Sequence, residues 1–123
     1  MRKILFSVVL MATALVAQAA DITPVTNAFK AGNAELLKDF MASEVDIVMP
    51  GVSKKGDSSN AITMLKSFFQ KNKPTNFTIA HHANKNGSGF LVGRLTTADK
   101  EFRVNITYTT KDDKLNITVI RIE

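Results

Sequence analysis

Few side chains in this sequence are equipped for proton transfer or ligand chemistry. The 123 residues include two histidines, one tyrosine and no cysteine. His82 is a candidate general acid, base or ligand contact because an imidazole titrates near neutral pH. Tyr108 can present a hydroxyl to a bound molecule, and the planar guanidinium of Arg121 can fork onto a ligand carboxylate. His82, Tyr108 and Arg121 are therefore the candidate ligand-binding residues, and no catalytic residue is assigned. Each has a plainer alternative: a rim or structural histidine, a tyrosine that packs its ring, and an arginine in a salt bridge with Asp46 or Glu123. A metal site is not expected. Consecutive strand residues such as His81 and His82 project oppositely, and no further histidine, cysteine or paired carboxylate stands at ligand spacing. No cofactor is expected.

These residues sit in a segment with strand character. Residues 76–83, 89–97, 101–110 and 115–122 are rich in Thr, Val, Ile and Phe and are separated by short polar turns, which predicts four antiparallel strands. Phe102, Val104, Ile106 and Tyr108 alternate with Arg103, Asn105, Thr107 and Thr109, the period of a strand with one face in a core. An Asn86-Gly87 turn pairs Leu91 with His82, and a loop centred on Ala98-Asp99 pairs Phe102 with Leu95 and Ile106 with Leu91. A loop centred on Asp112-Asp113 pairs Tyr108 with Ile117, Ile106 with Val119 and Val104 with Arg121. This register turns His82, Tyr108 and Arg121 inward. It turns Phe77, Ile79, Phe90, Val92, Ile120 and Ile122 outward, an apolar outer face suited to a homodimer.

The earlier part reads as helical. Thr23 caps a short helix opened by Pro24, with Val25, Ala28 and Phe29 on one face and Gly32 at its end. Asn33 caps a second helix with Leu36, Leu37, Phe40 and Met41 as its apolar face. Val45 to Met49 is β-branched and apolar, a short strand stopped by Pro50-Gly51. Ser53 to Gly56 reads as a loop, in which Lys54-Lys55-Gly56 could cradle an anion. A third helix starts at Asp57, Ser58 or Ser59 and runs to about Asn72, with Ile62, Leu65 and Phe69 as its stripe.

The N-terminus carries an export signal. Met1-Arg2-Lys3 is followed by an apolar run from Ile4 to Ala17 and by Ala17-Gln18-Ala19, the small-residue pattern of a cleavage site. The apolar run is shorter than the ~20 residues a membrane span requires, so no stable anchor is expected after cleavage. Residues 1–19 form the cleaved leader and 20–123 a single domain, periplasmic or extracellular. Its net charge is +5 before the leader, with Arg2 and Lys3, is removed. The remaining basic residues form no stripe interleaved with aromatics, which argues against nucleic-acid binding. Without cysteines, stability must come from packing.

The order helix, helix, strand, helix and four strands is α+β. The run Phe40-Met41-Ala42-Ser43-Glu44-Val45-Asp46-Ile47, then Lys55-Gly56, then Ala61-Ile62 through Phe68-Phe69, resembles the nuclear transport factor 2-like superfamily of cystatin-like fold. More narrowly, residues 20–123 resemble a family of small exported bacterial proteins classed as a domain of unknown function. The resemblance implies three N-terminal helices on a strongly curved antiparallel sheet, a cone with a pocket, and frequent dimerisation through the outer sheet face. It implies a pocket and not its occupant; the reading preferred here is a non-catalytic domain that binds a small apolar or weakly acidic ligand or a partner. Superfamily enzymes such as ketosteroid isomerase and the polyketide cyclases suggest the alternative, an isomerase or cyclase in which Asp46 would be the base and Tyr108 the donor. A further alternative is a purely structural dimeric interaction protein.

Overall fold

Helix α1 spans Thr23–Ala31 and buries Val25, Ala28 and Phe29. The computed structural model that places it describes residues 21–112 and 114–123. The expected leader, residues 1–19, and Ala20 lie outside the described residues. Thr23 is the first helical residue, and Ile22 occupies the N-cap without a side-chain bond. The capping work falls instead to Asp21, whose carboxylate accepts the Thr23 N–H at 3.0 Å. Gly32 ends the helix in the left-handed conformation.

The second helix is a 3-10 turn, Ala34–Phe40, capped by the Asn33 side chain. Its threefold repeat puts Ala34, Leu37 and Phe40 toward the core, whereas Leu36 is 44% exposed. The α-helical face expected from Leu36, Leu37, Phe40 and Met41 is replaced accordingly, and Met41 opens strand β1 (Met41–Met49). A Pro50-Gly51 turn with Gly51 at positive φ leads into β2 (Val52–Asp57). This strand corrects the loop expected over Ser53 to Gly56. Its side chains are nearly all exposed, so it carries no alternation by which to recognise it. Helix α2 (Ser58–Lys71) follows, with the Asp57 carboxylate accepting the Asn60 N–H at 2.9 Å.

Strands β3 (Pro74–Lys85), β4 (Ser88–Thr97), β5 (Glu101–Lys111) and β6 (Lys114–Ile122) form the expected antiparallel meander. The six-stranded sheet runs β2-β1-β6-β5-β4-β3, and only the β1–β6 pairing is parallel. The fold is thus α+β, with three helices and one curved sheet. Asn86 and Gly87 both take positive φ, as a two-residue hairpin turn requires, and Leu91 pairs with His82 as expected.

The register also shifts between Pro74 and Asn76 and between Met41 and Asp46, but two other shifts reverse the expected facing of side chains. Tyr108 pairs with Ile117, but Thr107 already pairs with Val119, so Thr118 is unmatched and β6 changes phase. Ile106 therefore faces Ile120, and Val104 faces Ile122, in place of the expected Val119 and Arg121. In β3 the shift falls between Ile79 and His81 and leaves Ala80 unmatched. Both bulges rescue apolar side chains. Phe77, Ile120 and Ile122, expected on the outer face, are at most 1% exposed, and Ile79 packs against the core. Phe90 and Val92 remain on the outer face as expected, with Phe90 40% exposed.

The layer between helices and sheet is filled by large side chains. Phe29 stacks on Phe77 at 5.1 Å and meets Phe69 edge-on at 5.4 Å, and Leu37, Leu65, Leu91, Ile106 and Tyr108 have no exposed surface. Phe77 fits because Gly93 lies opposite: a Cβ there would stand 2.6 Å from the ring's Cε1 and 3.0 Å from the Thr78 carbonyl oxygen. A side chain at position 93 would displace the ring. Gly93→Ala is expected to destabilise the protein by about 1–3 kcal/mol in urea unfolding. Combining it with Phe77→Leu should cost less than the sum of the two single changes, whereas strict additivity would show that the ring does not fill this space.

Candidate functional site

Strands β3 and β5 carry His82 and Tyr108 to the same face, two strands apart. The Tyr108 hydroxyl lies 2.7 Å from His82 Nε2, the tyrosine is fully buried and the histidine is partly buried. A Cβ on Gly89, in the strand between them, would come within 2.6 Å of that hydroxyl, so the glycine makes room for the pair. Burial raises the Tyr108 pKa, and the hydroxyl stays protonated. It donates to Nε2, since the hydrogen would otherwise be buried without an acceptor. The neutral imidazole then carries its proton on Nδ1.

The pair clasps β3 to β5 across β4. His81 projects to the outer face, where its ring lies 5.5 Å from that of Phe90. Arg121 is exposed on the same outer face, paired with Asn105, because the bulge at Thr118 reverses its direction. The expectation that it points inward is corrected. Asp46 lies between the buried Val45 and Ile47 and so projects outward, opposite to Tyr108. The carboxylate and hydroxyl invoked for an isomerase cannot converge on one substrate. Neither Asp46 nor Glu123 bonds Arg121; the ion pair present among the described residues joins Lys66 and Glu35. Among the described residues no cluster of three metal-ligating side chains occurs, and no helix is long and apolar enough to cross a membrane.

An open cavity of about 350 Å³ lies elsewhere, where the β1–β2 turn, the end of α2 and the β4–β5 turn meet. Met49, Met64, Phe68 and Phe102 form its apolar surface, and Lys71 and Lys100 its charged part. Phe68 and Phe102 meet edge-on at 5.1 Å, which fixes the floor. His82, Tyr108 and Arg121 do not line this cavity. In the sequence Met49 and Phe102 read as ordinary strand positions, and neither lysine carries a signal of its own. The signal is long-range: position 49, positions 64 and 68, and position 102 lie on different elements and meet only in the folded chain.

The clasp has a pH signature. Desolvation, and secondarily the neighbouring His81, hold the His82 pKa below its ordinary 6.5. Unfolding releases the imidazole to take up a proton, so its stabilising contribution is complete above about pH 6.5 and is lost as pH falls through the lower folded value. Thermal stability should therefore decline as pH falls below about 6.5, and His82→Gln should flatten that decline. An unchanged profile in the variant would show that His82 does not govern it. Tyr108→Phe should cost about 1 kcal/mol by removing one hydrogen bond.

A profile of the family described as Domain of unknown function (DUF4783) matches residues 22–123. Among solved structures, a DUF4783 family protein from Bacteroides uniformis is 33% identical with a TM-score of 0.77, covering 82% of this chain and 94% of that one. One from Bacteroides fragilis is 35% identical with a TM-score of 0.74, covering 80% and 92%. An NTF2-like protein of unknown function from Cytophaga hutchinsonii shares the fold at 13% identity and a TM-score of 0.58, covering 83% and 84%. No curated protein matches. With its described domain spanned almost end to end, the chain belongs to the DUF4783 family and has the nuclear transport factor 2-like, cystatin-like fold.

Proposed function

We propose that this protein is an exported, non-catalytic binding domain that holds a small ligand in the cavity beside Met49, Met64, Phe68 and Phe102. The observation that carries the reading is the cavity itself. At about 350 Å³ it falls within the range of small-molecule sites, and it joins an apolar floor to a few polar groups. The methionines suit the role, since their unbranched thioethers adapt to different shapes. In this reading the curved sheet and the helices form a cone whose open rim is the cavity, while the clasp of His82 and Tyr108 stiffens the interior. Opposite placement of Asp46 and Tyr108 supports binding over the isomerase alternative.

Export rests on the basic start, apolar run and Ala-x-Ala pattern of residues 1–19. Intact mass of protein recovered from the periplasm or medium should correspond to a chain beginning at Ala20. Recovery of the full-length mass from the cytoplasm alone would overturn this part. For the cavity, methyl-labelled methionine spectra titrated with 1-decanol should show saturable shifts of Met49 and Met64. Met41, on another part of β1, should stay in place. Shifts that never saturate, or that move all three alike, would sink the binding reading.

A further inference from the structure

We propose that the ligand of this cavity is an amphipathic carboxylate: an apolar chain or ring laid on the methionines and phenylalanines, with one anionic head held by Lys71 and Lys100. The proposal rests on the binding reading above and adds the chemical class. Ten residues line the cavity, and the two charged ones among them are both lysines, supplied by different elements. Lys71 is the last residue of α2, and Lys100 lies in the turn between β4 and β5. Among the described residues neither ammonium is in an ion pair. A carboxylate placed between them meets two positive charges and no competing negative one in the wall.

Local structure leaves both ammonium groups available. A lysine at a helix C-terminus often satisfies the last carbonyls. Here the Phe68 carbonyl already accepts the Asn72 N–H at 2.8 Å and the Asn72 Nδ2 at 3.1 Å. Lys100 is held by its backbone. The Thr97 N–H and hydroxyl donate to its carbonyl at 2.8 and 3.1 Å, and its N–H is 3.1 Å from the same hydroxyl oxygen. Thr97 is a buried polar side chain, 6% exposed, engaged in this turn. The cation is thus carried on a fixed base, which lowers the ordering cost of recruiting it.

The dimensions limit the tail. At about 30 Å³ for each water-sized group, the cavity has room for roughly a dozen non-hydrogen atoms, the size of decanoate. Lysine acts as a point charge and imposes no bidentate geometry, so the head is selected by charge and the tail by apolar area.

The test compares decanoate with 1-decanol, which share a tail and differ in charge, by calorimetric titration of the mature protein at pH 7.5. Decanoate is expected to bind about tenfold more tightly at low salt, the combined effect of two exposed ion pairs. Added salt should shrink that margin. Lys71→Gln and Lys100→Gln should each weaken decanoate binding several-fold and leave decanol unchanged. Equal affinities for the two compounds would overturn the carboxylate assignment while leaving the cavity a binding site. A decanoate preference that survives in the double variant would overturn the roles of the two lysines. Absence of binding by both compounds would remove the binding reading along with this one.

Discussion

Two of the sheet's register shifts, at Ala80 in β3 and Thr118 in β6, decide which side chains face the helices. A strand that alternates strictly must expose half of its side chains on each face, and a sheet that wraps helices must also bend. Ala80 in β3 and Thr118 in β6 meet both demands. Each inserts a phase change that returns apolar residues to the inner face after the bend. Phe77 and Ile79 precede one bulge and Ile120 and Ile122 follow the other, and all four reach the core through it. Without these insertions the aromatic stack on α1 would lose Phe77, and the sheet would present an apolar back to water.

Much of this architecture was legible along the chain. The hairpin at Asn86-Gly87, the cap at Asp57 and the stripe of α2 are local signals, and each appears where spacing put it. The failures are also physical. Bulges have no fixed signature, and regular pairing continued past Tyr108 and Ile117 gives Arg121 the direction that belongs to Ile120 and Ile122. Strand β2 is not legible because an edge strand with two solvated faces carries no apolar period. In the second helix a threefold repeat replaced the expected α-helical face.

The candidate site divides in the same way. His82 and Tyr108 were legible as inward-facing neighbours, since the hairpin turn fixes the first and strand alternation the second. Their mutual hydrogen bond lies within a layer filled by large side chains. The solvent-accessible cavity lies apart from this pair, assembled from side chains of several elements far apart in sequence. Such a site becomes visible only after the sheet order is known. Its apolar members read as core because, up to the last layer of packing, they are core.

Strand β2 ends the sheet with a row of backbone groups that another chain could recruit. Lys54 and Lys55 stand there as neighbours, one beside Ile47 and the other beside Asp46, so each face of the edge carries an ammonium. An incoming strand would have to bring one positive charge against each side of its own ladder. At the opposite margin, the kink at Ala80 keeps β3 from offering a straight template. A domain without cysteines to close its fold thus meets incoming strands with charge at one border and a kink at the other, the two devices by which sheets resist edge-to-edge growth.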